Sequence, residues 1–195
     1  MAAEREGSIR TALSSIEMWK VALIWLLFQA AMLSFVTWAP ALLERFQGMA
    51  KVEAGFTTSL LSWTSLLLVP IYGLLSDRFQ RRKLFIVSGF ALMSLMFTVV
   101  SVNSGIYIIV SFVALGAVSS MIPSIIQTMP SEVLGPGMAS VGFGVMTILG
   151  NIGPILAPPL IGYVLDSTNS YFYSVAILAV LSVFGTVLGI LLRSK

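Results

Sequence analysis

Residues 73–83 read GLLSDRFQRRK, and they stand between two apolar stretches that are each long enough to cross a membrane. The segment holds four of the 11 basic residues of a chain whose 195 residues include only 8 acidic ones. Cytosolic loops of membrane proteins carry an excess of lysine and arginine. The segment therefore predicts a cytosolic loop between two membrane-spanning helices.

The composition of the chain is that of a membrane protein. Hydrophobic residues make up 57% of it and charged residues 10%, whereas soluble domains average about 25% charged residues. A soluble protein of this size would have too little polar surface to cover itself. We therefore expect the lipid bilayer to be the solvent for most of the chain.

Uncharged runs give the number of spans. The longest run covers 48 residues, 84–131, and as one helix it would measure about 72 Å, more than twice the hydrocarbon thickness. It must fold back, and Asn103-Ser104-Gly105 is the obvious turn because Asn and Gly tolerate turn dihedrals. The chain is thus predicted to be an all-α integral membrane protein, with a cytosolic tail over residues 1–18 and a six-helix transmembrane bundle over 19–193. The predicted spans are 20–43, 55–76, 84–102, 106–128, 138–163 and 171–192.

Several function classes are excluded by residue types that the chain lacks. It has no cysteine and no histidine, which removes disulfides, thiol chemistry, imidazole metal ligands and histidine proton relays. A six-span serine protease of the membrane would need a Ser-His pair, and no span carries the arginine ladder of a voltage sensor. We expect no catalytic residues, no metal and no cofactor.

The distribution of basic residues predicts the orientation. With an even number of spans both termini lie on one side, and a cytosolic N-terminus puts nine basic residues inside and only Arg45 and Lys51 outside. The net charge of +3 therefore requires no nucleic acid, since the basic residues serve as topology signals and as contacts for anionic lipid headgroups. The short loops fit a cell inner membrane. The nine inner residues are Arg5, Arg10, Lys20, Arg78, Arg81, Arg82, Lys83, Arg193 and Lys195.

Polar side chains recur at helical spacing within four of the spans, and such side chains are costly in hydrocarbon unless they face a partner or water. One interpretation is a solute-binding cavity. The other is interhelical contact, in which small hydroxyl residues let helices approach closely. For the amides both interpretations remain open. The candidate cavity residues are Gln29, Trp63, Ser120, Ser124, Gln127, Thr147 and Asn151.

The loop motif has a known relative. Gly73-x-Leu75-Ser76-Asp77-Arg78-x-Gln80-Arg81-Arg82 resembles the loop between the second and third helices of each half of major facilitator superfamily transporters, Gly-x-Leu-Ala/Ser-Asp-Arg-x-Gly-Arg-Arg/Lys. Only Gln80 departs from it, where the family has glycine. A second stretch, from Pro130-Ser131-Glu132 to Pro158-Pro159, looks like the fourth-to-fifth helix region of the C-terminal half of such transporters.

This resemblance implies roles for the loop residues. The implied gating loop consists of Gly73, Asp77, Arg78, Arg81, Arg82 and Glu132. In the family the matching Asp and Arg help to latch the two halves in the outward-facing state. Gly73 is expected to let two helices pack closely, and Glu132 is expected to pair with Arg78 or Arg81. For Arg82 and Lys83 a topology role alone is the competing interpretation.

The resemblance covers one six-helix half of a twelve-helix transporter, a half that is itself a three-plus-three inverted repeat in this family. It implies a secondary transporter of a small solute that works by alternating access and needs a second six-helix half, either its own copy or another. The neutral polar faces would suit a sugar, a nucleoside or a small carboxylate paired with an arginine of the other half. The alternatives are a non-transporting membrane scaffold or degenerate fragment, and an unrelated six-span enzyme or channel.

Overall fold

The computed structural model describes residues 9–192, a range in which the chain is helical apart from short connections and contains no strand. Residues 9–14 are helical and precede the first long helix. The helices that follow are α1 (Ile16–Gln47), α2 (Lys51–Phe79), α3 (Arg82–Val102), α4 (Ile106–Ser119), α5 (Pro123–Ile126), α6 (Met129–Leu134), α7 (Ala139–Gly150), α8 (Ile152–Thr168) and α9 (Tyr171–Leu191), with a 3-10 turn at Pro136–Met138 between α6 and α7. Residues 1–8 of the predicted tail and Arg193 lie outside the described range.

Six helical units are long and apolar enough to cross a membrane, which confirms the predicted number. We call them the first to sixth spans: α1, α2, α3, Ile106–Leu134, Pro136–Thr168 and α9. The first two extend beyond their predicted bounds because their polar terminal residues continue the helix past the apolar run. α1, for example, continues to Gln47 and is closed by Gly48 at φ +66°.

Proline interrupts the fourth and fifth spans. Proline has no N–H, so the carbonyl four residues before it loses its helical partner. In the fourth span α4 ends at Ser119 and Pro123 opens α5. In the fifth, Pro154 leaves the carbonyl of Gly150 without its helical donor, and α7 ends at that glycine.

The spans pair in a pattern that supports the predicted inverted repeat. The first span packs beside the fifth, the second beside the fourth, and the third beside the sixth. Exchanging first with fourth, second with fifth and third with sixth leaves this set of pairs unchanged. A pseudo-two-fold relation between two three-helix repeats produces this symmetry.

A cluster of aromatic rings joins the two repeats at the core. The ring of Phe35 on α1 lies 5.3 Å from that of Phe97 on α3 and 5.1 Å from that of Phe112 on α4, measured between centroids. All three side chains are almost fully buried. Offset and edge-on ring pairs at such distances are favourable beyond the area they bury.

Glycines bring the paired spans into backbone contact. A Cβ placed on Gly153 of α8 would lie 2.5 Å from the carbonyl oxygen of Leu26 on α1, and one on Gly116 of α4 would lie 2.5 Å from that of Leu61 on α2. Between helices in lipid there is no hydrophobic driving force, so van der Waals contact of this kind supplies much of the attraction. The first–fifth and second–fourth pairs therefore depend on residues without a side chain.

Replacing Gly153 by alanine is expected to lower the free energy of unfolding by about 1–3 kcal/mol, because the backbone of α1 cannot yield as a side chain could. Thermal unfolding in detergent measures the change. Gly144→Ala on α7 is the matched control, since its new Cβ would meet nothing within 4 Å. It should leave stability unchanged or slightly raised. Equal effects of the two variants would show that close approach at Gly153 does not hold the spans together.

Candidate functional site

The loop at one end of the bundle is shaped by a left-handed residue. α2 ends at Phe79, and Gln80 closes it at φ 50°, ψ 30°, with its N–H donating to the carbonyl of Ser76 over 2.9 Å. This backbone conformation is easiest for glycine, which is the residue that the resembling loops carry there. The turn keeps its geometry with Gln80, and α3 begins two residues later at Arg82. We call this end of the bundle, with residues 77–83, the basic end.

Arg82 lies at the centre of the polar contacts at the basic end. Its Nη2 donates to Oδ1 of Asp77 over 3.0 Å, and its Nη1 donates to the Thr128 hydroxyl over 2.8 Å. Nη1 also forms an ion pair with Oε1 of Glu132. One guanidinium thus connects α2, α3 and the end of the fourth span, a geometry to which its planar fork of donors is suited. We call Asp77, Arg82, Thr128 and Glu132 the Arg82 cluster.

This arrangement corrects the expected partner of Glu132. The sequence suggested Arg78 or Arg81, but the carboxylate pairs with Arg82. Arg78 and Arg81 are both exposed, and neither forms an ion pair within residues 9–192. The reason is directional. Arg82 is the first residue of α3 and its side chain lies between α2 and the fourth span, whereas the side chains of Arg78 and Arg81 are exposed to solvent.

The expectation for Gly73 is also corrected. A Cβ placed on this residue would meet nothing within 4 Å, so in the described six-helix unit no helix packs closely against it. The second span is the least buried of the six: in its most apolar stretch of 18 residues, only 11% of the residues are buried within the unit. Any close contact at Gly73 must therefore come from outside this unit.

Two lysines hold the last helix at the same end. Lys83 Nζ donates to the carbonyl of Leu192, and Lys20 Nζ donates to that of Leu191, each over 2.8 Å. Positive charge stabilises a helix C-terminus, where carbonyls lack helical partners. Sequence analysis assigned these lysines only to topology and to lipid-headgroup contact. No side-chain pattern could have revealed the hydrogen bonds, because both acceptors belong to the backbone.

A cleft of about 1150 Å³ opens between these elements. Both acidic and basic side chains line it, among them Arg82 and its two carboxylate partners. Its lining residues are Ser15, Glu17, Asp77, Gln80, Arg81, Arg82, Lys83, Leu84, Met129, Glu132, Val133 and Leu192.

The candidate cavity residues lie away from this cleft, within the spans. Gln127 and Asn151 are exposed in the six-helix unit, Gln29, Ser124 and Thr147 are half-buried, and Trp63 is 62% exposed. The Asn151 amide donates to the Thr147 carbonyl over 2.8 Å, which leaves its oxygen available. Within the described residues the side chains of Gln29 and Gln127 form no hydrogen bond.

Ser120 differs from the other candidates. It is completely buried, and its hydroxyl donates to the carbonyl of Ala117 in its own helix over 2.6 Å. Next to it, the Ser65 hydroxyl on α2 donates to the carbonyl of Gly116 over 2.9 Å. Around Ser120 the fourth span therefore contacts another helix, as the interhelical interpretation holds, and this serine does not face an accessible cavity.

Replacing Arg82 by glutamine is expected to loosen the basic end by about 1 kcal/mol, because two partly exposed ion pairs are lost. A cysteine introduced at Met129, which lines the cleft and is 9% exposed, reports the change. Its reaction with a hydrophilic maleimide should become about fivefold faster. Arg81→Gln, one residue away, is the control and should leave the rate unchanged. Equal reaction rates for the two variants would contradict the idea that the Arg82 cluster limits access to the cleft at position 129.

Comparison with known sequences places these features in a family. The sequence profile of the Major Facilitator Superfamily matches residues 21–195. A protein of Agrobacterium vitis named "Putative tartrate transporter" is 25% identical over 194 residues, covering 96% of this chain and 42% of that protein. Two proteins named "Probable galactarate/D-glucarate transporter" match over 145 residues, 70% of this chain and 32% of their own length, with 28% identity in Escherichia coli K12 and 26% in Bacillus subtilis 168.

The chain spans less than half the length of these relatives, while the family match extends over nearly all of it. The loop motif, the six spans and their symmetric pairing agree with that match. The chain is an all-helical, six-span member of the Major Facilitator Superfamily.

Proposed function

We propose that the chain is one six-helix half of a secondary transporter that carries a small hydroxylated dicarboxylate by alternating access. The Arg82 cluster is the observation that carries the proposal. It ties the loop of the first three-helix repeat to the fourth span, so breaking it releases α2 from the fourth span at the basic end. The substrate class is taken from the names of the relatives, which act on tartrate, galactarate and glucarate by their descriptions.

The neutral faces of the spans support this class of solute. Amides both donate and accept hydrogen bonds, so Gln29, Gln127 and Asn151 suit the hydroxyl groups of a sugar acid. Between the two ends of each span the described residues carry no charge. The cations that two carboxylates require must then come from elsewhere, which in a twelve-span assembly is the facing half.

A second six-helix unit follows from the same polar residues. Polar side chains facing hydrocarbon are unfavourable, and Gln127 and Asn151 are exposed in this unit. Transporters of this kind bind solute near the bilayer midplane, between two halves that rock against each other. We propose that a second copy of the chain or another six-span chain covers this face.

A non-transporting scaffold or degenerate transporter fragment is the second candidate. The family match and the six spans fit it as well as they fit a transporter half. The two candidates differ in whether a correctly folded and paired sample moves solute.

The orientation belongs to the same proposal. We place the basic end and both termini in the cytosol, and the bundle in the plasma membrane. The support is the positive-inside bias, with nine basic residues on one side and two on the other.

Proteoliposomes containing the purified chain are expected to take up radiolabelled tartrate or galactarate in proportion to the crosslinked twelve-span species. Asp77→Asn should slow uptake several-fold with little change in KM, because Asp77 lies at the basic end and away from the solute-binding face. Asp166→Asn, the same change at an exposed carboxylate at the opposite end of the bundle, is the control and should leave uptake unchanged. If a folded, paired sample moves none of these solutes, the scaffold candidate is the correct one.

The proposed orientation has its own test in intact cells. Because the chain has no cysteine, single thiols can be introduced at Phe79, which is 58% exposed, and at Ala50 on the opposite end. A membrane-impermeant maleimide should label position 50 and leave position 79 unlabelled until the cells are opened. Labelling of both positions from the same side would contradict the six-span topology.

A further inference from the structure

The helical segment over residues 9–14 is held against the beginning of the first span. Only Ser15 separates it from α1, and the Ser15 hydroxyl accepts from the N–H of Met18 over 3.3 Å. The indole Nε1 of Trp19 donates to the carbonyl of Leu13 over 2.8 Å. The Ser15 contact caps α1, and the indole contact, together with the complete burial of Ala12, holds the segment against the beginning of α1.

The segment has an apolar face that the bundle does not cover. Ile9 and Leu13 are 47% and 46% exposed, and Ile16 just beyond them is 67% exposed, whereas Ala12 is completely buried. Residues four positions apart lie on the same face of a helix, so Ile9 and Leu13 lie one above the other. Arg10 and Ser14 have the same spacing on an adjacent, polar face, about 100° around the helix, and both are exposed.

The connection to α1 sets the depth of this face in the membrane. The uncharged run of the first span begins at residue 21, which is about 10 Å of helix from residue 14. The headgroup layer is about 5–8 Å thick on each side of the hydrocarbon. That distance exceeds the headgroup layer, so the segment would leave the membrane if it simply continued α1. Ser15 breaks the helix with an extended backbone, and the hydrogen bond from the Trp19 indole holds the carbonyl of Leu13 at the level of Trp19. Tryptophan prefers the membrane–water interface, so the segment lies there as well.

We propose that residues 9–16 form an interfacial anchor, which inserts Ile9, Leu13 and Ile16 among the acyl chains of the bilayer and places Arg10 against anionic headgroups. Burial of exposed aliphatic side chains drives the insertion. Anionic lipids are the expected partners of Arg10, because its side chain is exposed and forms no ion pair within the described part of the chain. The anchor depends neither on transport nor on which side of the membrane faces the cytosol.

Spin labels on single introduced cysteines test the anchor in the full chain, reconstituted in vesicles of phosphatidylcholine with one quarter phosphatidylglycerol. Labels at Ile9 and Leu13 are expected to collide with oxygen several-fold more, relative to a water-soluble nickel chelate, than labels at Arg10 and Ser14 on the same helix. Four labels with equal nickel accessibility would overturn the proposal. So would labels at 9 and 13 that are shielded from both reagents, since that result means that protein covers the face.

A second measurement tests the headgroup contact and the packing independently. Replacing both Ile9 and Leu13 by glutamate should release the segment and speed tryptic cleavage after Arg10, whereas Ser14→Glu on the polar face should not. Arg10→Gln should reduce the depth of a label at Leu13 in the mixed vesicles but not in pure phosphatidylcholine. Unchanged cleavage in the double variant would contradict the anchor. A label depth at Leu13 that changes equally in both kinds of vesicle, or in neither, would contradict its preference for anionic lipid.

Discussion

The exclusion of charge from the hydrocarbon is the constraint on which this structure depends. Each charged side chain among residues 9–192 lies at one of the two ends of the bundle or in the segment before it. Carrying an ionised group to the bilayer centre costs several kcal/mol, so the interior is left with amides, hydroxyls and glycines. Neutral and charged side chains therefore lie in different parts of the bundle. Neutral groups within the spans are available to a solute, and ionic contacts at the basic end are available to hold the spans together.

The ionic contacts divide the basic end into parts of different rigidity. Lys20 and Lys83 fasten α9 to α1 and α3 through backbone carbonyls, and such contacts persist as long as the helix end does. The Arg82 cluster joins α2 to the fourth span through side chains only, with Asp77 66% exposed and Arg82 29% exposed. Exposed pairs contribute little individually. The lysine contacts therefore suit a permanent connection, and the Arg82 cluster suits one that opens and closes.

Local chemistry made much of the fold predictable from the sequence. Uncharged run lengths predicted the number of spans, and Asn103-Ser104-Gly105 predicted the turn between the third and fourth spans. The identity of the bridging arginine was not predictable. It depends on Gln80 adopting a left-handed conformation and on α3 starting at Arg82, and a shift of one residue would give the same role to Arg81. The lysine contacts to carbonyls leave no mark in the side-chain pattern, and Gly73 looks like a packing glycine whether or not a neighbour is present.

Gln80 shows how a departure from a family pattern can be read physically. A residue with a Cβ pays roughly 1–2 kcal/mol to adopt the left-handed conformation, yet the turn closes α2 with the same hydrogen bond that a glycine would allow. The cost is tolerable because contacts on both sides hold the turn in place. Asp77 precedes it, Arg82 follows it, and the two are joined by a 3.0 Å hydrogen bond. The Arg82 cluster thus stabilises the loop that positions it.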